Sequence, residues 1–230
     1  MNERLVSDRI RCIASFLPKG ALFADIGSDH AYLPVYVCHL DKKAAAIAGE
    51  INEGPYQSAK NNVAAEGLTD RIEVRKGDGL AVISANEVNQ VVIAGMGGSL
   101  ISTILEEGKE KLERVGQIIA QPNVEARAVR MWLQGNGYRL AGEAIVEEAG
   151  HTYEVISAFL SDTPATMTEK ELLLGPYLMK EKSDAFQKKW KTEIEKRERV
   201  IKQMKQAVSP DEKKMEAFRH EVELIKEGLM

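Results

Sequence analysis

The sequence predicts an α/β fold in which a mixed, seven-stranded sheet is followed by a C-terminal α-helical coiled-coil hairpin. Short apolar runs alternate five times with amphipathic runs, a pattern typical of a parallel sheet covered by helices on both faces. Two β-like runs, YRLAGEAIVEE and TYEVISAFL, then predict an antiparallel pair at one edge. Beyond Thr163-Pro164 the apolar residues recur at steps of three and four, the spacing of a helix. We therefore expect a sheet domain over residues 1–162 and a helical domain over residues 163–230.

The alternating elements follow in order from their apolar residues and turn signals. A first helix in ERLVSDRIRCIASFL precedes a strand in ALFADIG, and Pro34 suits the first turn of a second helix. AAAIAGE is a second strand ending near Glu50, and a third helix runs from Pro55 to Gly67. RIEVRKGDG, NQVVIAGMGG and GQIIAQPN are the third, fourth and fifth strands, and the helices SLISTILEEG and EARAVRMWLQGNG follow the last two.

The C-terminal domain is predicted to be two helices that share an apolar seam. The seam positions are Phe186, Trp190, Ile194, Ile201, Met204 and Val208 in the first helix and Met215, Phe218, Val222, Ile225 and Leu229 in the second. The first series has one gap, at Arg197. Ser209 is the predicted cap of the second helix, and Pro210 is its predicted first residue.

Composition and charge restrict the class of protein. A hydrophobic content of 44% with 29% charged residues is typical of soluble globular proteins, and no apolar run is long enough to span a membrane. Arg9 and Arg11 interrupt the apolar residues near the N-terminus, so we expect no signal peptide and a cytoplasmic location. The two cysteines, Cys12 and Cys38, lack CxxC spacing, and no His/Cys cluster has the spacing of metal ligands. We therefore expect inert thiols and no metal.

Polar and glycine residues follow each of the first five predicted strands. Because the carboxyl ends of parallel strands meet at one edge of a sheet, these residues should surround a ligand at the switch point of the strand order. The first strand leads into a loop with two carboxylates, Asp25 and Asp29, around Gly27. The other strand ends carry Glu50-Ile51, Asp78-Gly79, the run from Ala94 to Gly98, and the run from Gln121 to Asn123.

The acidic loop argues against a dinucleotide and for S-adenosylmethionine. A dinucleotide loop has the pattern G-x-G-x-x-G, but Gly27 is followed by Ser28-Asp29, which would repel a pyrophosphate. S-adenosylmethionine has no phosphate and carries a sulfonium, an ammonium group and ribose hydroxyls. The predicted cofactor-binding residues are Asp25 and Asp29 for the methionine moiety, Glu50 for the ribose and Asp78 for the adenine amino group, together with Gly27, Ile51, Gly79, Ala94, Gly95 and Met96.

The same segments resemble known cofactor motifs. ADIGSDHAYLP, AGEIN, GDGL and VVIAGMGG resemble, in order, those of class I methyltransferases, although Asp29 replaces the usual second glycine. Combined with QPN and YEVI, they resemble the bacterial TrmK family over the whole chain, helical tail included. The resemblance implies a Rossmann-like class I methyltransferase fold, S-adenosyl-L-methionine as cofactor and methylation of N1 of adenine 22 in tRNA.

The segment after the fourth strand favours methylation of a ring nitrogen. Enzymes that methylate exocyclic amino groups usually carry Asn/Asp-Pro-Pro-aromatic there, whereas this chain has AGMGG. Adenine N1 already has a lone pair in the ring plane and needs only to be placed in line with the methyl group. Gly97 and Gly98 are predicted to give a flat base access to the backbone, and Gly95 to Gly98 can also be read as a simple strand-to-helix turn.

The remaining candidate residues contact the base or stabilise its charge. Asp29 is the first candidate to stabilise the cationic product, and Asn123 is predicted to hydrogen-bond the adenine edge. His30 is counted with them as a catalytic candidate that orients or stacks on the base, as does Tyr32, although His30 can equally be an ordinary loop histidine. For Tyr153 and Glu154 in the last strand we expect a structural role.

The expected macromolecular partner is tRNA, bound by a monomer or weak dimer without a membrane. The candidate RNA-contacting side chains are Arg4, Arg9 and Arg11 in the first helix and Lys188, Lys189, Lys191, Lys202 and Lys205 in the tail. The tail has a net charge of about +2 and the rest of the chain about −6, which is only a hint of an RNA-binding tail. Two alternatives stay open from the residues alone: a methyltransferase of a small molecule, and a catalytically silent module that meets a protein through its coiled coil.

Overall fold

The computed structural model describes residues 6–163, 165–206 and 209–230. Contacts between residues divide the chain into two compact units, one that ends at Ala165 and one that begins at Thr166. The division that we expected, between residues 162 and 163, falls in the same connecting segment. Two positions named above, Arg4 and Val208, lie outside the described residues.

The first unit consists of alternating helices and strands in the predicted order. They are α1 (Asp8–Ser15), β1 (Leu22–Ile26), α2 (Tyr32–Leu40), β2 (Ala45–Glu50), α3 (Glu53–Ala65), β3 (Ile72–Lys76), β4 (Gln90–Gly97), α4 (Gly98–Glu107), β5 (Gln117–Val124), α5 (Ala126–Gly135), β6 (Tyr138–Glu148) and β7 (His151–Leu160). Helices α2 and α3 each begin two residues before the predicted proline. Pro34 and Pro55 still lie in the first turn, where a helix needs no N–H donor.

The strands form one mixed sheet in the order β3-β2-β1-β4-β5-β7-β6, which confirms the predicted seven-stranded sheet. Strands β1 to β5 are parallel to their neighbours, and β7 is antiparallel to both β5 and β6. The strand order reverses between β1 and β4. Because β7 runs against β5, the end of β6 and the start of β7 lie at the same sheet edge as the carboxyl ends of the parallel strands.

The central strands are buried on both faces, which explains their continuous apolar sequence. Phe23 and Ala24 of β1 and Val91 to Ile93 of β4 are fully buried. Helix α2 covers one face with Val35 and Cys38, both without solvent exposure. This rigid centre supports the loops that follow β1 and β4.

A buried ion pair joins α5 to the β6–β7 hairpin. The Nε of Arg130 donates to Oε1 of Glu143 at 2.7 Å, and its Nη2 donates to Oε2 of Glu154 at 2.5 Å. All three side chains are buried. Removing one partner of such a group leaves an unpaired buried charge and costs about 3–5 kcal/mol. Glu154, in the last strand, therefore has the contacts of a structural residue.

The second unit contains helices α6 (Glu169–Leu174), α7 (Pro176–Glu181), α8 (Asp184–Met204) and α9 (Glu212–Leu229). The prediction of a two-helix tail was incomplete, because α6 and α7 precede the long pair. Thr168 and Glu171 form a capping box that begins α6, and Gly175 adopts a positive φ of 86° between the two short helices. No helix in the described ranges has both the length and the apolar character needed to cross a bilayer.

Helices α8 and α9 pack along the predicted seam. Buried seam residues are Phe186 and Trp190 of α8 and Met215, Val222 and Ile225 of α9. Arg197 fills the gap in the pattern: its guanidinium binds Glu193 at 2.5 Å on its own helix and Glu221 at 2.8 Å on the other. The supercoiling of this hairpin stays a prediction.

The start of α9 differs from the prediction. The helix begins at Glu212, and Asp211 is its N-cap, with its carboxylate accepting from the backbone N–H of Lys214 at 3.0 Å. The assignment of Ser209 as cap and Pro210 as first residue was wrong. A carboxylate at the N-cap also interacts favourably with the helix dipole, which explains why the later residue is used.

Candidate active site at the carboxyl ends of the strands

A cavity of about 940 Å³ opens at the carboxyl ends of the central strands. Its wall is built from α1, the loop after β1, the turn at the end of β4, the end of β5 and the β6–β7 hairpin. The predicted site residues that line it are Arg9, Asp25, Gly27, Asp29, Tyr32, Ala94, Gly95, Met96 and Asn123. Most of the predicted site is thus brought together in one place.

Other predicted residues lie outside this wall. Asp78 and Gly79 line a separate cavity of about 290 Å³. Glu50 is buried directly behind the β1 loop, and Ile51 beside it is exposed. Lys188, Lys189 and Lys191 belong to α8 of the second unit. Within the described residues no group of His, Cys, Asp and Glu side chains could hold a metal ion.

The loop after β1 turns at Gly27, and both its conformation and its surroundings require glycine. Gly27 has a φ of +71°, and a Cβ at this position would lie 2.3 Å from the terminal methyl of Met96. Its N–H and that of Ser28 both donate to the carbonyl of Gly49, at 3.0 and 3.1 Å. The β1 loop is thereby tied to the end of β2 and held against the β4 turn.

Three consecutive non-glycine residues of this loop have left-handed backbone conformations. Asp29, His30 and Ala31 have φ values of 43°, 64° and 58°. The Asp29 N–H donates to Glu50 Oε1 at 2.6 Å, and Asn62 Nδ2 donates to the His30 carbonyl at 2.8 Å. Each such residue costs on the order of 1–3 kcal/mol, so these two side chains stabilise an otherwise unfavourable turn. Asn62 was missed because nothing in the sequence marks one asparagine in a polar helix.

Asp25 places a carboxyl group in the cavity wall under unusual electrostatic conditions. It is 3% exposed and accepts a 2.5 Å hydrogen bond from the hydroxyl of Ser28. Burial raises the pKa of Asp25 to about 7, and the negative charges of Glu50 and Asp29 add to the rise. Burial likewise raises the pKa of Glu50, against the opposing hydrogen bond from the Asp29 N–H. A bound cation would relieve both carboxylates.

The turn after β4 is held by two side chains of β5. Gly95 has a φ of +79°. Its N–H donates to the fully buried Gln121 at 3.2 Å, and its carbonyl accepts from Asn123 Nδ2 at 2.6 Å. Gln121 Nε2 also donates to Asn123 Oδ1 at 3.2 Å. The amide of Asn123, which we expected to bind the base, therefore already bonds to protein groups through both its nitrogen and its oxygen.

The two glycines that follow have different surroundings. Gly98 is buried at the start of α4, and a Cβ there would lie 2.1 Å from the carbonyl oxygen of Glu125. A Cβ at Gly97 would meet only the side chain of Val124, at 3.8 Å. Neither residue lines the cavity. Gly98 therefore has a packing reason for its missing side chain, as expected for a strand-to-helix turn.

His30 and Tyr32 lie beside the cavity rather than deep within it. Their rings are 5.4 Å apart and tilted by 30°. Tyr32 is 43% exposed and lines the cavity, whereas His30 does not line it. His30 Nε2 lies 3.6 Å from the carboxylate of Asp29, which is itself 80% exposed.

Arg9 reaches into the cavity instead of facing outward from α1. Its Nη1 donates to Gln121 Oε1 at 2.8 Å, its guanidinium carbon lies 5.5 Å from the centre of the Tyr153 ring, and its Nε is 3.7 Å from Glu148 Oε2. Glu148 and Tyr153 also line the cavity. The expectation of a purely structural role for Tyr153 did not foresee this position. The antiparallel pairing of the last two strands, which the sequence predicted, was the signal that could have placed both residues at this edge.

The residues of the cavity fit S-adenosylmethionine. The volume lies within the usual range of about 300–1,000 Å³ for small-molecule sites. A buried carboxyl with a raised pKa, beside two further carboxyl groups, favours a cation and disfavours a phosphate. This fold, with such a site at its topological switch point, defines a class I methyltransferase that uses S-adenosyl-L-methionine.

Comparisons with known proteins assign the chain to a family. The family model of TrmK, tRNA (adenine(22)-N(1))-methyltransferase, matches residues 23–227. The chain is 44% identical over 233 aligned positions to the tRNA (adenine(22)-N(1))-methyltransferase of Bacillus subtilis, covering 99% of this chain and 98% of that one. The chain therefore belongs to the TrmK family, as the sequence motifs suggested.

Solved structures agree with this assignment. The crystal structure of the B. subtilis m1A22 tRNA methyltransferase TrmK has a TM-score of 0.91 at 42% identity, covering 98% of this chain and 99% of that one. A Streptococcus pneumoniae relative crystallised with S-adenosyl-L-methionine has a TM-score of 0.89 at 40% identity, covering 98% of this chain and all of the other. The membership favours a tRNA methyltransferase over the small-molecule and silent-module alternatives.

Proposed function

We infer that this protein transfers a methyl group from S-adenosyl-L-methionine to N1 of adenine 22 in tRNA. One observation of the structure carries the proposal: the acidic β1 loop and the β4 turn line the same cavity, and the turn lacks an amino-methylating motif. The position and identity of the base are carried over from the TrmK relatives.

The cofactor is assigned to the part of the cavity nearest β1 and β2. Asp25 and Asp29 face the cationic methionine moiety, with Gly27 allowing close backbone approach. Glu50 accepts from the ribose, and Asp78 with Gly79 receives the adenine end, which requires the main cavity and the smaller one to be bridged by the ligand. Ile51, Ala94, Gly95 and Met96 supply the remaining contacts.

The reaction needs placement more than acid–base chemistry. When bound, S-adenosylmethionine supplies a methyl group on a cationic sulfur, and the ring nitrogen accepts it without losing a proton. Asn123 and Gln121 hold the Gly95 turn, which forms the floor on which a flat base can lie. Tyr32 and His30 offer rings at the mouth of the cavity. The excluded solvent and fixed orientation account for rate enhancement by proximity.

The helical unit is proposed to contact the tRNA backbone. Lys188 and Lys191 are exposed on α8, and Lys189 lies 5.3 Å from the centre of the Trp190 ring. Shape-specific contacts with phosphates suit the recognition of a folded RNA without base reading. Because the apolar seam is already covered within the hairpin, we propose a monomer or weak dimer. A tRNA substrate also supports the expected cytoplasmic location.

A direct experiment tests the reaction. Unmodified tRNA transcript is incubated with methyl-labelled S-adenosyl-L-methionine, and the nucleosides are separated and identified by mass spectrometry. We expect N1-methyladenosine as the labelled product. Labelled N6-methyladenosine or a labelled guanosine would contradict the argument from the β4 turn.

A further inference from the structure

The cavity has a second group of polar residues, far along the sheet from the acidic β1 loop. Arg9, Tyr153 and Glu148 come from α1 and the β6–β7 hairpin. Strand β7 is three strand spacings from β1, by way of β4 and β5, which is about 14 Å at the usual spacing. One cavity therefore extends from the cofactor loop to this second group, with the Gly95 turn between them.

Adenine presents a specific chemical pattern next to the nitrogen that is methylated. N1 is flanked by the exocyclic N6 amino group, which is a hydrogen-bond donor. Methylation gives the purine a positive charge that is shared between the ring and N6. A carboxylate that accepts from N6 would therefore recognise adenine and also stabilise the charge that develops in the reaction.

Two carboxylates of the cavity differ in their suitability for this role. Asp29 has a side chain that is 80% exposed, so water screens its charge. Glu148 is only 27% exposed and stands at the end of β6, at the same edge as the Gly95 turn. Its carboxylate makes only long contacts with Arg9, at 3.5 Å to the backbone N–H and 3.7 Å to Nε.

Arg9 is held in place independently of Glu148. Its Nη1 is anchored by the buried Gln121 at 2.8 Å, and its guanidinium lies over the Tyr153 ring. A cation fixed in this way attracts the Glu148 carboxylate and orients it without using its lone pairs in a short bidentate pair. The acceptor capacity of Glu148 thus remains available to a ligand in the cavity.

We propose that Glu148 accepts a hydrogen bond from the N6 amino group of the target adenine, and that Arg9 is the positioning residue that orients this carboxylate. This inference rests on the proposed function. It assigns the adenine-recognising acceptor to the end of β6 instead of Asn123, whose amide is occupied by Gly95 and Gln121. It also moves the stabilisation of the cationic product from the exposed Asp29 to a less exposed carboxylate.

The test uses the full-length protein and two ligated tRNA transcripts, which carry either adenosine or purine riboside at the target nucleotide. Purine riboside lacks the N6 amino group but keeps N1. The variants are Glu148→Gln, Glu148→Ala and, as matched control, Glu147→Gln on the next residue of β6, which is exposed and does not line the cavity. Turnover is measured on both transcripts, and calorimetry gives the affinity for S-adenosylmethionine.

We expect Glu148→Gln and Glu148→Ala to lower kcat on the adenosine transcript by roughly 10- to 100-fold, with cofactor affinity unchanged. The preference of the wild type for adenosine over purine riboside should shrink by about tenfold in Glu148→Ala, and Glu147→Gln should keep both values. If Glu148→Ala slows both transcripts equally, or slows neither, the inference is overturned while the proposed function stands. If the wild type forms no N1-methyladenosine on the adenosine transcript, the proposed function itself fails.

Discussion

The backbone N–H of Asp29 donates a 2.6 Å hydrogen bond to the carboxylate of Glu50, which links the β1 loop to the end of β2. This bond supports a left-handed turn that begins at Asp29. Glu50 thus has two roles in the account: it holds the turn, and it is the proposed acceptor for the cofactor ribose.

Glu50→Ala is expected to weaken the binding of S-adenosylmethionine by about 1–3 kcal/mol, because a charged acceptor and the support of the turn are lost together. Isothermal titration calorimetry gives the change directly. Glu53→Gln is the matched control, since this nearby carboxylate pairs with Lys76 at the surface, at 2.6 Å. Equal affinities for wild type and Glu50→Ala would remove Glu50 from the cofactor site.

The pKa of Asp25 predicts a pH dependence of stability. Its pKa in the folded protein is raised from 3.8 to about 7, so the folded state holds a proton that the unfolded chain releases above pH 4. Stability of the cofactor-free protein is therefore lost as the pH rises from about 4 to 7. In Asp25→Asn this loss is absent, and its advantage over wild type should grow by roughly 2–3 kcal/mol between pH 5 and pH 8. Urea unfolding at the two pH values measures it; a constant difference would show that Asp25 does not titrate in this range.

The same carboxyl group links cofactor binding to protons. A cation beside Asp25 favours its ionised form, so binding should release a proton near pH 7 and tighten from pH 6 to pH 8. Calorimetry in two buffers with different ionisation enthalpies detects the proton, and Asp25→Asn should abolish the effect. Binding with no proton release in the wild type would place the cation away from Asp25.

Asn123→Ala is expected to reduce turnover more than RNA affinity. The variant loses the 2.6 Å hydrogen bond to the Gly95 carbonyl and so releases the turn that the base contacts. We expect a loss of kcat of roughly 10- to 100-fold, with the Kd for tRNA changed by less than about threefold. Asn136→Ala is the control, because this asparagine also donates to a backbone carbonyl, that of Trp132 at 2.8 Å, outside the cavity. Equal losses in both variants would indicate a general effect on folding.

The proposed role of the helical unit predicts separable functions. A protein ending at Asp162 should fold and bind S-adenosylmethionine but lose tRNA binding and methylation. Lys188, Lys189 and Lys191 changed together to glutamate should weaken tRNA binding and flatten its salt dependence. The same reversal at Lys19, Lys42 and Lys43, before β1 and β2 at the opposite sheet edge, is the charge-matched control. Full activity of the truncated protein would contradict the proposal and favour a role in dimerisation.

Much of the fold followed from sequence because its signals are local. Alternating apolar runs defined the strands and helices, and the edge pair was recognised from its β-like pattern. The cavity residues from Asp25 to Asp29 and from Ala94 to Met96 were found because each set directly follows a buried strand. The same logic named Asp78, which lies at a strand end but lines a separate cavity.

Other features depend on contacts between distant parts of the chain. Arg9 was read as a surface charge of an amphipathic helix, although it reaches Gln121, 112 positions away in the sequence. Glu148 entered the cavity only when the antiparallel pairing of β6 and β7 was known. The short helices α6 and α7 were missed because few residues separate their caps, and Asp211 was overlooked beside the stronger Ser-Pro signal.

The most direct test of the central claim is to locate the methyl group on the tRNA. Because N1 methylation blocks the pairing edge of adenine, reverse transcription stops at the modified nucleotide. With unmodified tRNA, S-adenosylmethionine and this protein, we predict one new stop, at adenine 22, and none on a transcript with guanine at that position. A new stop at another nucleotide, or methyl incorporation without any stop, would contradict the assignment of this enzyme as an adenine 22 N1-methyltransferase.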